Sequence, residues 1–361
     1  MSTDRCWEKY FMTFSNFKKI PLQAVLVIAM LPFAAQAAPS ITSVAGTPTH
    51  GQSITITGSG FGTHAVYSGA YLPVAYKDFE DNSLTSQGFS AGIPADVALQ
   101  SGGPTNSTKY GKVFYGGSSR LANYGIQSQS GNDLGAIYTS FWFMMPAGTE
   151  GGKMWRWYFG PNSSADNLYI GTACQNPAFN LGGDGLGTTV YGGGFSTDVW
   201  HKFEVYASQP DNVYTVWLDG SLYSDWITAK GSINWTAMSP DGHSVHAGHM
   251  IDGTTTGCGT TGSFNYDDIY MDYTQARVEI CSGSTWSNRG MCNTQLPTSW
   301  NTTSIIVKVN KGTFAQGASQ YLYAIDADGN ASSGKQITFG SSGSGGGSTS
   351  KPAAPKNLSV H

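Results

Sequence analysis

Trp200–Gly220 reads WHKFEVYASQPDNVYTVWLDG, two strand-like runs separated by a polar turn. Similar runs lie on both sides of it: AIYTSFWFMM from Ala136, KMWRWYFG from Lys153 and SVHAGHMID from Ser244, spaced by Gly- and Asn-rich turns. The chain holds 47 glycines and is 13% aromatic but only 12% charged. Short strands at this density, in that composition, describe an all-β protein of sandwich or jelly-roll type and not one of long solvated helices. The region that carries these runs, 76–274, opens with KDFEDNSL and closes with YDDIYMD.

Working outward, Pro39–Thr63 reads PSITSVAGTPTHGQSITITGSGFGT. Ile54 and Ile56 alternate as in a half-buried strand, and the Gly58–Gly62 cluster carries one apolar anchor, Phe61. On the far side, ARVEI from Ala276 leads to alternating Ile305, Val307 and Val309, then to Tyr321, Tyr323 and Ile325. Asp328-Gly329-Asn330 makes a hairpin turn before Ile337 and Phe339. These two flanks resemble the two halves of an IPT/TIG domain, an immunoglobulin-like β-sandwich. The resemblance implies one sandwich split into 38–75 and 275–340, with 76–274 inserted at a surface loop, where insertion is tolerated. Two unrelated β-segments flanking a central domain would give the same pattern. The Trp200–Gly220 hairpin is similar to that of concanavalin A-like jelly rolls, the laminin-G, lectin and glycanase superfamily. That likeness implies a fold and fixes no activity.

At the start, a basic stretch ending in Lys18 and Lys19 runs into an apolar segment, Ala24–Phe33, and then Ala35-Gln36-Ala37. This is the pattern of a secretory signal over 1–37, too short to span a bilayer, with Met12 an alternative start to Met1. The product is expected to be secreted, extracellular or periplasmic, with no later transmembrane segment. Net charge is -4 and no Lys/Arg cluster occurs, so the chain lacks the footprint of a nucleic-acid partner. Cys174, Cys258, Cys281 and Cys292 follow the leader, an even number that favours disulfides in an exported chain. Of three connectivities, proximity favours Cys281 with Cys292, which leaves Cys174 with Cys258. Past Gly340, SSGSGGGSTS is a flexible linker, and KPAAPKNLSVH resembles the opening strand of a fibronectin type III module, so 341–361 is linker and truncated tail.

Three kinds of site are candidates. Glu80 and Asp81 near the start of the insert, with Asp267 and Asp268 near its end, offer the hard oxygen ligands that Ca²⁺ takes. A likeness to Ca²⁺-binding lectin-like domains supports them, although adjacent carboxylates on a regular strand point to opposite faces. The second is a glycan surface. Trp142, Trp217 and the MWRWY run supply flat rings, and Arg156 with Tyr158 would line a sheet face if Trp155 and Trp157 pack inside. The third is catalysis. No paired-carboxylate strand motif of a glycosidase is present. Arg120, Gln127, Gln129, His201, His243, His246 and His249 are the residue types of a uronate lyase without its spacing. The expectation is a polysaccharide- or surface-glycan-binding, adhesive protein without catalytic activity. A jelly-roll lyase or hydrolase and a structural envelope component are the alternatives.

Overall fold

In the computed structural model, residues 37–340 are described except 68–73, 86–89, 92–96, 105–106, 115–121, 128–134, 150, 160–166, 174–175, 184–188, 232, 234–241, 248 and 251–261. In chain order the strands are β1 (Ser40–Ala45), β2 (Ser53–Ser59), β3 (Val74–Lys77), β4 (Ser90–Ala91), β5 (Val97–Ser101), β6 (Lys109–Phe114), β7 (Ala122–Gln127) and β8 (Ala136–Met144). They continue as β9 (Lys153–Phe159), β10 (Asn167–Ala173), β11 (Asn176–Gly183), β12 (Thr189–Gly194), β13 (His201–Ser208), β14 (Val213–Leu218) and β15 (Ser221–Asp225), followed by a short helix α1 (Trp226–Lys230). The last are β16 (Gly242–Ala247), β17 (His249–Met250), β18 (Ser263–Asp272), β19 (Arg277–Cys281), β20 (Cys292–Trp300), β21 (Ser304–Lys308), β22 (Ser319–Ile325) and β23 (Lys335–Thr338). The protein is all-β, an immunoglobulin-like sandwich together with a jelly roll. Among the described residues no helix is long and apolar enough to cross a membrane.

The jelly roll packs two sheets face to face. One runs β12-β11-β10-β9-β16-β7-β17, the other β15-β14-β13-β8-β18-β6-β5 with β3 added beside β18. Strand alternation decides what lies between them. Trp155, Trp157, Leu168 and Ile170 from the first sheet meet Phe141, Phe143, Phe203, Val205, Phe264 and Tyr266 from the second. Large rings fill this space edge to face, Phe143 against Phe264 at 5.1 Å and against Phe203 at 5.6 Å between centroids. Such pairs add about 0.5–1.5 kcal/mol each beyond the area they bury.

The other sandwich is a sheet path β1-β2-β21-β20-β19-β22-β23. Its first two strands therefore join strands from the far end of the chain: Ile54 stands opposite Val307 and Ile56 opposite Ile305. Strand β20 makes the path fold on itself. Its start pairs with β19 and its end with β21, with a register shift between Pro297 and Ser299 where proline cannot donate to the ladder. Ile54, Ile56, Ile305 and Val307 thus face Val278, Ile280, Leu322 and Ala324 across an aliphatic core. On β22 the residues facing this core are Leu322 and Ala324. Tyr323 and Ile325, expected to mark the apolar face, pack on the reverse side with Cys281 and Cys292. The Cys281–Cys292 disulfide is present and joins directly paired residues of β19 and β20. Cys174 and Cys258 lie outside the described residues.

Because Phe203 and Val205 point into the jelly-roll core, Lys202, Glu204 and Tyr206 take the outer face of β13. That outer face is where the immunoglobulin-like sandwich docks.

Candidate functional site

The junction between the sandwiches has a closed centre and an open edge. At the centre, Arg289 donates to Glu204 Oε2 at 2.7 Å and to Glu279 Oε2 at 3.1 Å. Arg277 reaches Glu204 Oε1 at 3.5 Å, and Tyr138 donates to the same oxygen at 2.8 Å. The guanidiniums lie over aromatic rings, Arg277 4.1 Å from the Tyr138 centroid and Arg289 4.2 Å from that of Trp286. All four charged side chains are at most 5% exposed. Burial alone would raise the pKa of Glu279, but Arg277 and Arg289 outweigh it and hold that carboxyl at about 2. Glu204 goes the other way: burial raises it despite Arg289. Burial also lowers the pKa of the neighbouring Lys202, against the opposing pull of nearby carboxylates, Asp268 first.

Farther along the same face the sandwiches diverge and leave a cleft of about 500 Å³. Register explains its floor. Tyr206 stands opposite Thr215 and Thr215 opposite Asp225, while Trp217 stands opposite Leu222 in the next row. Tyr214 and Val216 are in the core, so alternation turns Thr215 and Trp217 outward. Leu222 is 62% exposed. Asp211 forms part of the rim and accepts hydrogen bonds from Tyr206 at 2.7 Å and Ser208 at 2.6 Å. Asp225 accepts from Thr215 at 2.7 Å. The opposite wall belongs to the immunoglobulin-like sandwich: Gln275, and Asp328 in a turn held by Asp326, which accepts from the amides of Asp328 and Asn330. Gly329 in that turn has φ 86°, a left-handed conformation that favours glycine, and a Cβ there would sit 2.7 Å from the Gln275 side-chain amide, which would have to shift. Burial, reinforced by hydrogen bonding to Asp211, raises Tyr206 to about 12, keeping it a neutral hydroxyl at any physiological pH.

Of the four residues expected to bind glycan, Trp217 alone lines this cleft. Trp142 is 2% exposed, on the outer face of β8 under the docked sandwich, beside Ser140, whose hydroxyl meets Thr294 at 3.0 Å. Trp155 and Trp157 do pack inside, which puts Arg156 on the other face of β9. There Arg156 is 3% exposed, buried and not presented on an open surface. Tyr158 lies on the same strand, and its side chain is outside the described residues. Register sets Arg156 between Tyr169 and His246, and Tyr158 between Asn167 and Ser244, which in turn faces Gln127. His201 is not part of that row; its ring nitrogens lie 2.8 Å from Asp219 Oδ2 and 3.1 Å from the Ser196 carbonyl. Arg120 and Gln129 lie outside the described residues, as do the side chains of His243, His246 and His249.

The four expected calcium ligands are placed unevenly. Glu80 accepts from the amides of Thr108 and Lys109, and Asp81 pairs with Lys77 at 2.6 Å. Asp267 and Asp268 sit in a β-bulge, where the register of β18 against β8 shifts between Asp267 and Tyr270 and Asp268 adopts φ 44°. The extra residue breaks strict alternation, so the two carboxylates share a side instead of opposing each other. Asp268 accepts from Tyr76 at 2.6 Å and from Asn310 of the other sandwich at 2.7 Å. Asp267 keeps one buried oxygen, Oδ2, without a hydrogen-bond partner, and a Cβ on Gly103 would lie 2.9 Å from it. Burial and then the charge of Asp268 hold Asp267 well above the ordinary carboxylate range. Asp78, not singled out from the sequence, is raised by burial and by Asp268 as well. A buried orphan oxygen in an acidic, glycine-lined recess is chemically suited to a hard cation, with Asp267 and not Glu80 or Asp81 at its centre. The cluster of Glu279 with Cys281 and Cys292 is not a ligand set, because its sulfurs are bonded to each other and its carboxylate to two arginines.

No protein-family model matches the chain, and no curated protein does. Among solved structures it is similar to the cellulose-induced protein Cip1, at 19% identity over 55% of this chain and 97% of that one, with a TM-score of 0.38. It is similar also to a GH131 β-glucanase catalytic domain from Podospora anserina, at 16% identity over 55% of this chain and 84% of that one, TM-score 0.34. The alginate lyase vAL-1 from a Chlorella virus aligns at 13% identity over 49% of this chain and 88% of that one, TM-score 0.35.

Proposed function

We propose that this chain is an exported carbohydrate-binding protein that holds a glycan, without cleaving it, in the cleft between its two sandwiches. The observation that carries this reading is the cleft itself. Its volume is that of an oligosaccharide-sized pocket, and it sets the Trp217 ring and the Tyr206 hydroxyl beside short hydrogen-bonding groups, Asp225, Gln275 and Asp328. A sugar offers an apolar ring face and a rim of hydroxyls, so an aromatic plate flanked by acceptors and an amide complements it. The leader-like start supports export, and the resemblance of the flanks to IPT/TIG domains supports a surface role. The test is a glycan array and polysaccharide pull-down with the wild type and Trp217→Ala. Retention lost in the variant supports the reading; equal retention by both contradicts it.

What supports a calcium ion is the orphan Asp267 oxygen and the company of Asp78 and Asp268. Chelator is expected to lower the melting temperature by roughly 2–4 °C, about 1 kcal/mol, and Asp267→Asn to remove that response. A chelator-insensitive melt of the wild type would exclude the ion.

A further inference from the structure

We infer that the cation site around Asp267 is coupled through Asn310 to the docking of the two sandwiches, so that a bound calcium ion tightens their junction and its removal loosens it. The inference rests on the calcium reading above and adds to it a positioning residue and a consequence for the junction. Two buried oxygens point to the ligand. Asp267 Oδ2 and Asn265 Oδ1 both lack a hydrogen-bond partner, in side chains that belong to residues 0% and 2% exposed. They stand two residues apart on β18, before its bulge, opposite Trp142 and Met144 of β8. Phe264 and Tyr266 pack in the jelly-roll core, so alternation puts Asn265 and Asp267 together on the outer face of the sheet. Two stranded acceptors on one buried face are what a hard cation, which takes oxygen ligands, would satisfy.

The route from this site to the other sandwich is short. Asp267 Oδ1 accepts from the amide of Asp268 at 2.8 Å, and Asp268 has φ 44°, a left-handed conformation that a residue other than glycine keeps where its surroundings hold it. The Asp268 carboxylate is held from both sandwiches, Oδ1 accepting from Tyr76 of the jelly roll at 2.6 Å and Oδ2 from Asn310 Nδ2 at 2.7 Å. Asn310 follows β21 and is itself fixed. Its amide donates to Gln295 Oε1 at 2.8 Å, its carbonyl accepts from Gln295 Nε2 at 3.0 Å, and its Oδ1 accepts from the Gly312 amide at 3.0 Å. One braced side chain of the immunoglobulin-like sandwich therefore helps to hold the bulge that brings Asp267 and Asp268 to the same side.

Coupling of this kind is reciprocal. If docking pre-forms the cation site, the cation strengthens docking by the same factor. Without an ion, the neighbouring Asp267 and Asp268 carboxylates repel in a buried setting, where like charges act more strongly than in water. An ion beside them turns that repulsion into attraction and leaves Asp268 in place as an acceptor for Asn310. Elsewhere the junction is held by other contacts, Ser140 with Thr294 and Arg289 with Glu204 and Glu279. Loss of the ion is therefore expected to loosen the junction around Asn310 without separating the sandwiches.

The experiment is calorimetric titration of the full chain, freed of metal by chelator, with calcium chloride. Asn310→Ala is expected to bind the ion about tenfold more weakly than the wild type, about 1.4 kcal/mol, although its side chain is not offered as a ligand. A second measurement needs no variant. Hydrogen exchange of the wild type at the Asn310 and Gly312 amides, which donate to Gln295 Oε1 and Asn310 Oδ1, is expected to be about tenfold faster without calcium than with it, while the amides of β19 at the closed centre keep their rates. If Asn310→Ala does not fold, this comparison decides alone. Equal calcium affinity in a folded variant, or exchange at Asn310 and Gly312 that does not respond to calcium, overturns the coupling and leaves the ion standing. No heat of calcium binding by the wild type removes the ion and the coupling together.

Discussion

Glu204 and Trp217 are register partners on adjacent strands, yet they stand in opposite surroundings. On the Glu204 side, two carboxylates and two guanidiniums are sealed between sandwiches, each charge answered by another and capped by Tyr138 and Trp286. On the Trp217 side, three carboxylates border a cavity with no cation in its lining. Both groups of carboxylates lie along one junction. The difference is that the first is closed off between the sandwiches and the second opens on a cavity. Buried ion pairs are weak evidence of net stabilisation, but once formed they are costly to break on one side. The centre should therefore behave as a joint, and the edge as a receptor.

The largest effect should come from breaking the joint. Arg289→Ala strands Glu204 and Glu279 in a buried site, and a loss of about 3–5 kcal/mol in denaturant unfolding is expected. A change under about 1 kcal/mol would mean that the network is solvated and the joint open. Removing the disulfide should follow. Cys281 and Cys292 are 11 residues apart and close the loop that carries Arg289 and Trp286. The paired Cys281→Ser, Cys292→Ser variant should lose about 3 kcal/mol on the chain-entropy account, and its coupling with Arg289→Ala should be non-additive.

Acid should separate the two clusters next. Glu279 is depressed to about 2, so its stabilisation is present above its unfolded pKa near 4.5 and is lost as pH falls from there through about 2. Glu204 is raised by burial, so its contribution has the opposite sign and lies above its unfolded pKa near 4.5, where stability rises as pH falls through the folded pKa towards that value. The net loss, read as melting temperature from pH about 5 to about 2, should be smaller than the ~3 kcal/mol that Glu279 alone would carry. It should disappear in a Glu279→Gln variant. The smallest effect belongs to His201. Burial opposes its charge, but Asp219 outweighs burial and raises its pKa. That stabilisation is full below the unfolded value near 6.5 and is lost as pH rises through the folded pKa. His201→Gln should flatten a shallow decline of under about 1 kcal/mol between neutral and mildly alkaline pH.

The fold was largely legible because its signals are local. Ile54 and Ile56, Ile305 and Val307, and the paired runs of Trp200–Gly220 have the period of two that a half-buried strand imposes. Where both faces of a strand are buried that rule loses its power. Tyr321, Tyr323 and Ile325 alternate cleanly, but Leu322 and Ala324 own the main core, and the tyrosine side packs on the disulfide. The bulge at Asp267 and Asp268 defeated the same rule, because one inserted residue resets alternation with no signature beyond an Asp tolerant of positive φ.

Of the residues lining the candidate cleft, the sequence singles out one, Trp217. Trp217 stood out as a large ring on a hairpin strand, and alternation in VYTVWL could have added Thr215 as its companion on the outer face. Gln275 and Asp328 could not be joined to it from the sequence. They come from the other sandwich, and nothing in their local pattern records that its wall faces β14. Trp142 and Arg156 misled because aromatic and cationic residues advertise a surface equally well when they are covered.

The most direct test of the account is a calorimetric titration of wild type and Trp217→Ala with the tightest oligosaccharide from the array, alongside their melting temperatures. A receptor at the open edge predicts that the variant loses about tenfold or more in affinity while melting within a few degrees of wild type, about 0.5 kcal/mol. Unchanged affinity in a variant that folds as well as the wild type would place the ligand elsewhere and contradict it.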